Sequence, residues 1–302
     1  MNIAVVIPTI RPENYKEFLA YWHELFIKHK VSLFAVFDGE YPIVCYTTAD
    51  DDYSEEMYYT QHDIPEIKDI IYNYNDGVRN MGFAVVAKFH PEIQTIITLD
   101  DDCFPIANTD PIQQHLDALE QRVPISWMST TFGRDYMRGF PYGVRDEAEV
   151  VLSHGVWEGV QDWDACTQLV RRPSQVQFYR GVVPKGILFP ICIMNVAFKT
   201  KLLPYYYQAP MGKNIGLDRF ADIWSGINAK RKIDELGWAA VTGLSTIYHS
   251  RASNVYTNLI KEAKGIGLNE KYWLGDMSDP YFKLYHKNMK VWEKQIKKWQ
   301  KQ

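Results

Sequence analysis

Apolar runs and amphipathic stretches alternate along the first hundred residues of the chain. The runs are short and end at polar or turn-forming residues, which is typical of buried parallel strands, whereas the stretches carry apolar residues at helical spacing. The pattern predicts strands at Ile3–Ile7, Val31–Phe37 and Thr95–Leu99 and helices at Pro12–Lys30, Ile64–Tyr72 and Val78–Phe89. This alternation of strand and helix predicts a doubly wound α/β sheet.

The second part of the chain follows a less regular pattern. From about residue 124 glycine, proline, tyrosine and tryptophan are frequent, and Arg219–Leu236 is the next clear helical pattern. The final segment, Lys287–Gln302, places Trp292, Ile296 and Trp299 at helical spacing among many lysines. We expect this amphipathic helix to dock on its own fold, with a contact between subunits as the alternative.

Composition and charge exclude several classes of protein. With 302 residues, of which 46% are hydrophobic and 23% charged, the chain is expected to fold, and its net charge of −4 gives no basic footprint for nucleic acid. No apolar stretch of ~18 residues predicts a membrane span, and the N-terminus lacks the pattern of a signal peptide. The four cysteines are scattered, so we expect reduced thiols in a cytoplasmic protein.

Three carboxylates follow the third predicted strand directly. Asp100, Asp101 and Asp102 come after the buried run Thr95–Leu99. Closely packed carboxylates repel one another unless a cation neutralises them. Mg2+ and Mn2+ prefer carboxylate oxygens and share their remaining positions with substrate phosphates. The alternative is a solvated acidic turn or helix cap, and the buried strand before the trio favours the metal site.

Further polar residues lie near predicted strand ends, where ligands bind in α/β sheets. Thr9 and Asp38 follow the first two strands, and Arg79 follows a short loop from which it could contact a diphosphate. The chain contains neither a GxGxxG after a strand nor a GxxxxGK[ST], so neither an NAD or flavin site nor a P-loop is predicted.

Two histidines and one aspartate are weaker candidates. His249 follows a short apolar stretch and could complete a metal site, although a lone histidine is more often structural. His154 is either structural or orients the substrate. Asp222 lies near the start of a predicted helix, where it is either a general base that contacts a sugar hydroxyl or an acid that complements the helix dipole.

Two arginines lie in the segment YMRGFPYGVR. Glycine, proline and aromatic residues surround Arg138 and Arg145, which predicts an ordered loop rather than a helix. The two guanidinium groups could bind phosphates through bidentate contacts. The alternative is a pair of surface salt bridges.

The motifs IPTIRP, DDDC, RGFPYGVR, SHGVW with DACTQLV, VPKGILFPICIMNVAF, DIWSG and YHSRASN occur in that order. Together they resemble the reversibly glycosylated polypeptides, also known as UDP-arabinopyranose mutases. The likeness is good over roughly residues 95 to 265 and looser over the first ninety. It implies a GT-A-type glycosyltransferase fold, with a mixed sheet and helices on both faces. It also implies a single domain over residues 1–302, with a nucleotide-binding half (1–123), a sugar or acceptor half (124–265) and a C-terminal helical tail (266–302).

The resemblance also assigns roles to residues. The arginine that becomes reversibly glycosylated falls on Arg138, and the family's second essential arginine falls on Arg145. Asp222 retains an acid of the family, whereas its neighbour in the family's acidic pair is replaced by Ala221 here. The expected metal ligands are Asp100, Asp102 and His249, of which the histidine matches the family's WHS motif. The expected substrate contacts are Thr9, Asp38, Arg79, Asp100, Asp101, His154 and Asn195.

The implied activity is interconversion of the pyranose and furanose forms of a nucleotide sugar, with Arg138 as a nitrogen nucleophile, a divalent metal, and neither flavin nor NAD. UDP-arabinopyranose is the expected substrate, and GDP-fucose, used by a related group of flavin-free mutases, is the alternative. A GT-A glycosyltransferase that uses the same site is the second hypothesis. A non-catalytic scaffold that assembles through its C-terminal helix is the third, and the mutase itself could form a homo-oligomer through that helix.

Overall fold

A computed structural model describes residues 2–49, 55–128, 136–143, 145, 147–171, 177–250 and 253–302. Within these ranges the strands are β1 (Ile3–Thr9), β2 (Ser32–Phe37), β3 (Ile43–Thr48), β4 (Met57–Thr60), β5 (Thr95–Leu99), β6 (Cys103–Pro105), β7 (Arg122–Val123), β8 (Ala148–Gly159), β9 (Gly181–Val183), β10 (Asn195–Lys199) and β11 (Ala239–His249). The helices are α1 (Pro12–His29), α2 (Arg79–Phe89), α3 (Pro111–Leu119), α4 (Ala165–Val170), α5 (Ala221–Glu235), α6 (Val255–Ala263), α7 (Ile266–Trp273) and α8 (Pro280–Trp299).

The strands form a mixed sheet in the order β4-β3-β2-β1-β5-β10-β8-β11-β6, with β7 beside β8 and β9 beside β11. β1 is parallel to both β2 and β5, whereas β10 runs antiparallel to β5 and β8. The predicted α/β class with a mixed sheet is therefore confirmed. Strands from residues 1–123 and 124–265 belong to this same sheet, so the expected division between the halves does not separate two sheets.

Helices cover both faces of the sheet because side chains along each strand alternate in direction. Val5 of β1 packs in one core with Phe18 and Trp22 of α1. Its neighbour Val6 packs in the other core with residues of α2, α5 and α8. The approach of α2 depends on Gly82, since a Cβ there would lie 2.6 Å from Val6 Cγ1. A glycine at this position lets the helix that carries Arg79 lie directly on the sheet.

Most of the predicted elements of the first hundred residues are confirmed, but the helix predicted at Ile64–Tyr72 is wrong. This segment forms successive three-residue turns, in which the backbone N–H groups of Ile67 and Ile70 donate to the carbonyls three residues before them. Its buried isoleucines recur every three residues, which is the period of a 3-10 helix rather than an α-helix. Only Lys68–Ile70 reaches a regular 3-10 turn.

The C-terminal helix docks on its own fold, as predicted. It begins earlier than the apolar spacing indicated, at Pro280, because the Asp279 side chain accepts from the backbone N–H of Tyr281 and caps the helix. Trp292 is fully buried, and its indole N–H donates to the Leu203 carbonyl at 2.9 Å. Among the described helices, α8 included, none combines the length and the apolar character needed to span a membrane.

We expect replacement of Trp292 by alanine to lower the free energy of unfolding by about 3–5 kcal/mol, since a fully buried indole leaves a cavity. Urea unfolding followed by circular dichroism measures the change. Val291→Ala is the matched control on the same helix, because Val291 is 37% exposed, and it should change stability by less than ~0.5 kcal/mol. Equal effects of the two variants would contradict the packing described for α8.

Candidate active site

The carboxyl ends of the parallel strands β1, β2 and β5 meet at one edge of the sheet. A cleft of about 370 Å³ opens there. It is lined by Pro8, Thr9, Ile10, Arg11, Asp38, Tyr74, Asn75, Asp76, Val78, Asp100, Asp101, Asp102, Asp218, Arg219 and Lys261. The structure therefore brings together the strand-end residues that the sequence predicted, as the topology of an α/β sheet requires.

Asp101 is the most buried of the three consecutive carboxylates, with 4% of its surface exposed. One of its oxygens accepts from the Thr9 hydroxyl at 2.7 Å, and the other pairs with the Arg11 guanidinium at 2.9 Å. The Thr9 hydroxyl also accepts from the backbone N–H of Arg11 at 3.1 Å. Asp101 thus fixes the chain after β1, and Arg11 is a cleft residue that the sequence analysis missed although it follows a strand end.

Asp100 pairs with Arg79, whose side chain is completely buried at the start of α2. The Nε of Arg79 also donates to the Thr98 hydroxyl at 3.0 Å, which ties the helix to β5. Arg79 was predicted to contact the substrate diphosphate. In the structure it lies beneath Asp100 and holds that carboxylate in place, so any contact with substrate stays a prediction.

We expect Arg79→Met to destabilise the protein by about 3 kcal/mol, because it leaves a half-buried carboxylate without its cation. Adding Asp100→Asn should recover part of the loss, since the two residues form one pair. Urea titrations of the single and double variants test this expectation. The exposed pair of Lys16 and Glu13 provides the control, because Lys16→Met should cost less than ~1 kcal/mol. Additive effects of the Arg79 and Asp100 substitutions would contradict the pairing.

Asp102 faces His249 at the end of β11. The Nε2 of His249 lies 3.7 Å from Asp102 Oδ1, while its Nδ1 is 2.8 Å from the Val160 carbonyl. Because a carbonyl only accepts, Nδ1 carries a proton, and in the neutral imidazole the lone pair of Nε2 is directed at the carboxylate. Two acceptors that converge in this way are suited to a shared cation.

The predicted metal ligands are thus not equivalent. Asp102 and His249 converge, whereas Asp100 is held by Arg79. In the described part of the chain, no group of three or more His, Cys, Asp or Glu side chains is arranged to hold a metal ion. An ion at this site would therefore need substrate oxygens to complete its coordination, which is the usual arrangement for Mg2+ beside phosphates.

Asp38 lies at the end of β2 and borders the same cleft. Its carboxylate accepts from the backbone N–H of Tyr74 at 2.9 Å. Burial raises the pKa of Asp38 above its ordinary value, and the backbone N–H of Tyr74 partly opposes this. The contact connects β2 to the loop before α2, so Asp38 both shapes the cleft and offers it an acceptor.

Asp222 lies in the first turn of α5, where its carboxylate accepts a hydrogen bond from the backbone N–H of Ile223 at 2.9 Å. Burial, together with the nearby carboxylates Asp76 and Asp162, raises the pKa of Asp222 to about 7, although Arg79 opposes the shift. A carboxyl that titrates near neutral pH can take up or release a proton during a reaction.

Basic residues from the second half of the chain form the opposite rim of the cleft, and the sequence analysis missed them. Arg219, which has a φ of 72°, donates from Nε to Glu262 at 3.1 Å. Lys261 on α6 pairs with Asp218 at 2.7 Å. The left-handed backbone of Arg219 is strained for a non-glycine residue, and such strain is common at functional sites. The rim therefore places two cations where phosphate groups could lie.

Another cleft of about 360 Å³ is lined by residues that include Tyr21, Phe104 of β6 and Tyr248 of β11. It contains neither Asp38 nor the three aspartates that follow β5. We therefore assign the chemistry to the first cleft.

Comparison with known proteins identifies the family. The sequence model of the family described as reversibly glycosylated polypeptide matches residues 1–293. The chain belongs to this family. Among its relatives, the probable UDP-arabinopyranose mutase 4 of Arabidopsis thaliana is 35% identical over 93% of this chain and 77% of the relative. UDP-arabinopyranose mutase 3 of the same plant is 36% identical over 89% of this chain and 76% of the relative. UDP-arabinopyranose mutase 1 of Oryza sativa is 35% identical over 93% of this chain and 77% of the relative.

In this member of the family the two loop arginines, Arg138 and Arg145, are exposed and do not belong to the described lining of the cleft. Asp135, which is close to Arg138 in sequence and is a second candidate, beside Asp222, to accept a proton from its guanidinium, lies outside the described residues. Arg138 and Arg145 therefore lie on the surface of the protein, and their approach to a bound substrate stays a prediction.

Two other predicted substrate contacts lie inside the core of this family member. The Asn195 side chain is fully buried, bonded to His115 at 2.9 Å and to the Val156 carbonyl at 3.1 Å. His154 bonds the Thr242 hydroxyl at 2.8 Å, and burial lowers the pKa of His154 to about 3, so the ring is neutral. Neither residue borders the described cleft, and both join neighbouring strands of the sheet.

Proposed function

We propose that this chain is a nucleotide-sugar mutase that interconverts UDP-arabinopyranose and UDP-arabinofuranose. The main support is a match to the reversibly glycosylated polypeptide family over residues 1–293, in a chain whose sheet gathers acidic strand ends at one cleft. Relatives whose names specify UDP-arabinopyranose are aligned over nine-tenths of the chain. An isomerase needs no second substrate, so one cleft for one nucleotide sugar is sufficient.

The reaction requires that the anomeric bond break, the ring open and a different hydroxyl close on C1. A guanidinium nitrogen of Arg138 forms a bond to C1 as the bond from C1 to the diphosphate oxygen breaks. The diphosphate leaves with the electron pair, and a carboxylate accepts the proton lost from the guanidinium. Asp222 is the candidate acceptor because its raised pKa lies near neutral pH. The lone pair of the attached nitrogen then expels the ring oxygen, which takes up a proton.

Closure completes the cycle. A different hydroxyl of the opened sugar adds to C1 and gives up its proton, which produces the other ring form while the sugar is still attached to Arg138. Return of the diphosphate oxygen to C1 then breaks the carbon–nitrogen bond, and the carboxyl gives its proton back to the departing guanidine nitrogen. The proton gained by the former ring oxygen is balanced by the one lost from the hydroxyl that closes, so the arginine and the carboxylate are both regenerated.

A divalent metal, Mn2+ or Mg2+, belongs to this proposal. Asp102 and His249 fit such an ion because a carboxylate oxygen and an imidazole lone pair converge, and Asp100 is the third predicted ligand. When bound, the ion would stabilise the negative charge of the diphosphate. The basic rim formed by Arg219 and Lys261 lies in the same cleft and would contribute to holding the diphosphate.

Metal binding can be measured without turnover. We expect Mn2+ titrated calorimetrically into protein with UDP to bind at least ~10-fold more weakly after Asp102→Asn or His249→Ala, since each removes a proposed ligand. Asp117→Asn, an exposed carboxylate on α3, is the control and should leave the affinity unchanged. Unchanged Mn2+ affinity in both Asp102→Asn and His249→Ala would show that the ion does not bind between these two residues.

The activity is tested by incubating the protein without any acceptor, in parallel with UDP-arabinopyranose and GDP-fucose, with and without Mn2+. Chromatography and NMR of the sugar ring identify the product. The proposal predicts a furanose from the UDP sugar only when metal is present. A furanose from GDP-fucose alone would reassign the substrate, whereas free sugar with nucleoside diphosphate, or no change, would favour a glycosyltransferase.

Two further statements about this protein are proposals. We infer a cytoplasmic location from the four cysteines, which are all free thiols in the structure.

Self-association through α8 would have to use its outer face, where Val291 is 37% exposed, because the apolar stripe of the helix packs against the core. Sedimentation of Val291→Asp beside the wild type tests that interface.

A further inference from the structure

Arg138 lies at the tip of a tight turn. The backbone N–H of Phe140 donates to the Met137 carbonyl at 3.2 Å, which closes a four-residue turn. Gly139, the third residue of this turn, has a φ of 97°, which is the positive φ that a type II turn has at this position and that favours glycine. Arg138 is therefore the second residue of the turn, where its side chain is exposed.

Aromatic rings hold the two ends of this turn together. Tyr136 precedes the turn and Phe140 ends it, and both rings pack on the indole of Trp127, with centroids 5.3 Å and 4.3 Å away. The two rings also lie 5.9 Å from each other. Trp127 belongs to the segment that follows β7, so the stack fixes the Arg138 turn to the body of the protein.

Arg145 completes this assembly from the other side. Its guanidinium carbon lies 4.5 Å from the ring centroid of Tyr136 and 4.4 Å from that of Tyr142. A planar guanidinium can stack on two rings at once, whereas the ammonium of lysine cannot match that geometry. Arg145 thus joins Tyr136, the residue before the turn, to Tyr142, two residues after it.

We propose that Arg145 is a positioning residue, which locks the Met137–Phe140 turn between Tyr136 and Tyr142 so that Arg138 is presented in one orientation. The proposal rests on the proposed mutase function, in which Arg138 attacks the substrate. It gives the two arginines different tasks: Arg138 reacts, and Arg145 orders the turn through stacking. A direct contact between Arg145 and the diphosphate is the competing assignment.

Substitutions of the stack separate the two assignments. Tyr142→Ser removes one ring of the stack and Arg145→Lys keeps the charge but loses the planar group. We expect both to lower kcat by roughly 10- to 100-fold, the effect of a misplaced reacting group, with little change in KM. Tyr142→Phe keeps the ring and should restore kcat. Because the two single variants disrupt the same assembly, the double variant should be no worse than either.

A second readout does not depend on activity. Trypsin cleaves after Arg138 only when the turn opens, so the initial rate of that cut in the native protein reports the order of the turn. We expect faster cleavage after Arg138 in Tyr142→Ser and Arg145→Lys, and wild-type rates in Tyr142→Phe. Tyr256→Ser, which changes an exposed tyrosine on α6, is the matched control. Thermal midpoints should remain close to wild type, since Tyr142 is 85% exposed.

The outcomes are distinguishable. If Arg145→Lys raises KM and weakens UDP binding while Tyr142→Ser behaves as wild type, Arg145 contacts the substrate and the positioning role is wrong. If cleavage after Arg138 is the same in all variants, the stack does not order the turn and the proposal is also wrong. If the wild type makes no furanose but the cleavage pattern is as expected, the mutase function fails while the ordering of the turn by Arg145 is supported.

Discussion

Replacing Arg138 with alanine is expected to reduce furanose formation by ~10³-fold or more, because the nucleophile of a covalent mechanism cannot be replaced by its neighbours. The rate of furanose formation by Arg138→Lys should also fall far below that of the wild type, since lysine lacks the planar guanidinium that the turn presents. UDP affinity should change little in either variant, because Arg138 does not line the described cleft. Wild-type turnover in either variant would contradict the assignment of Arg138 as the nucleophile.

The covalent step has a direct signature. Intact-mass spectrometry of wild-type protein after incubation with substrate should show the addition of one sugar, and digestion should place it on the peptide that contains Arg138. The adduct should be absent from Arg138→Ala. A protein that makes furanose without any adduct would support a milder mechanism, in which Arg138 only holds the diphosphate while the sugar opens. The Arg145 variants should form the adduct slowly rather than not at all.

Asp222→Asn is expected to lower kcat/KM by about 10²- to 10⁴-fold, the usual contribution of a general base. The wild-type rate should rise with pH through about 7, where the carboxyl loses its proton, and the variant should lack this rise. Activity measured between pH 5 and pH 9 in a buffer of constant ionic strength provides the profile. Asp117→Asn on α3 serves as the control and should keep the wild-type profile.

The same substitution, Asp222→Asn, should raise the thermal stability of the protein although it lowers its activity. The pKa of Asp222 is raised in the folded protein, so its protonated form contributes stability that is present at low pH and is lost as the pH rises through about 7. Asparagine does not titrate, and Asp222→Asn should therefore gain thermal stability relative to wild type most clearly above pH 7. A variant that is less stable than wild type at pH 8 would show that its activity was lost through unfolding.

The strand ends were the part of the site that the sequence predicted best. Thr9, Asp38 and the three aspartates after β5 follow buried runs, and parallel strands bring their carboxyl ends to one edge without any knowledge of packing. Local patterns cannot reveal which partner each group takes. That Arg79 is buried beneath Asp100 instead of exposed above it depends on how closely α2 approaches the sheet, and therefore on Gly82.

The second half of the chain was harder to predict because its strands are buried on both faces and lack alternation. In β8 (Ala148–Gly159) every residue is buried except Glu149 and the last two. Its sequence therefore lacks the alternation of apolar and polar residues that would distinguish a strand from a helix. Asn195 and His154 were expected to contact substrate from the family resemblance, with a structural role for His154 as the alternative. In the structure they satisfy hydrogen bonds within the sheet. The raised pKa of Asp222 could not be predicted from the sequence either, because it arises from burial and then from Asp76 and Asp162, which are distant in sequence.

The antiparallel strand β10 has a consequence for motion. Its ladder with β5 pairs Asn195 with Leu99 through to Lys199 with Thr95, and its other edge pairs with β8. A hinge between the strands of residues 1–123 and those of residues 124–265 would have to break this backbone ladder, so the two parts are expected to move as one rigid body. A sugar that changes its ring form at this cleft would then change shape between two walls joined by hydrogen bonds. We expect rim side chains and short turns, rather than closure of the two parts of the sheet, to accommodate that change.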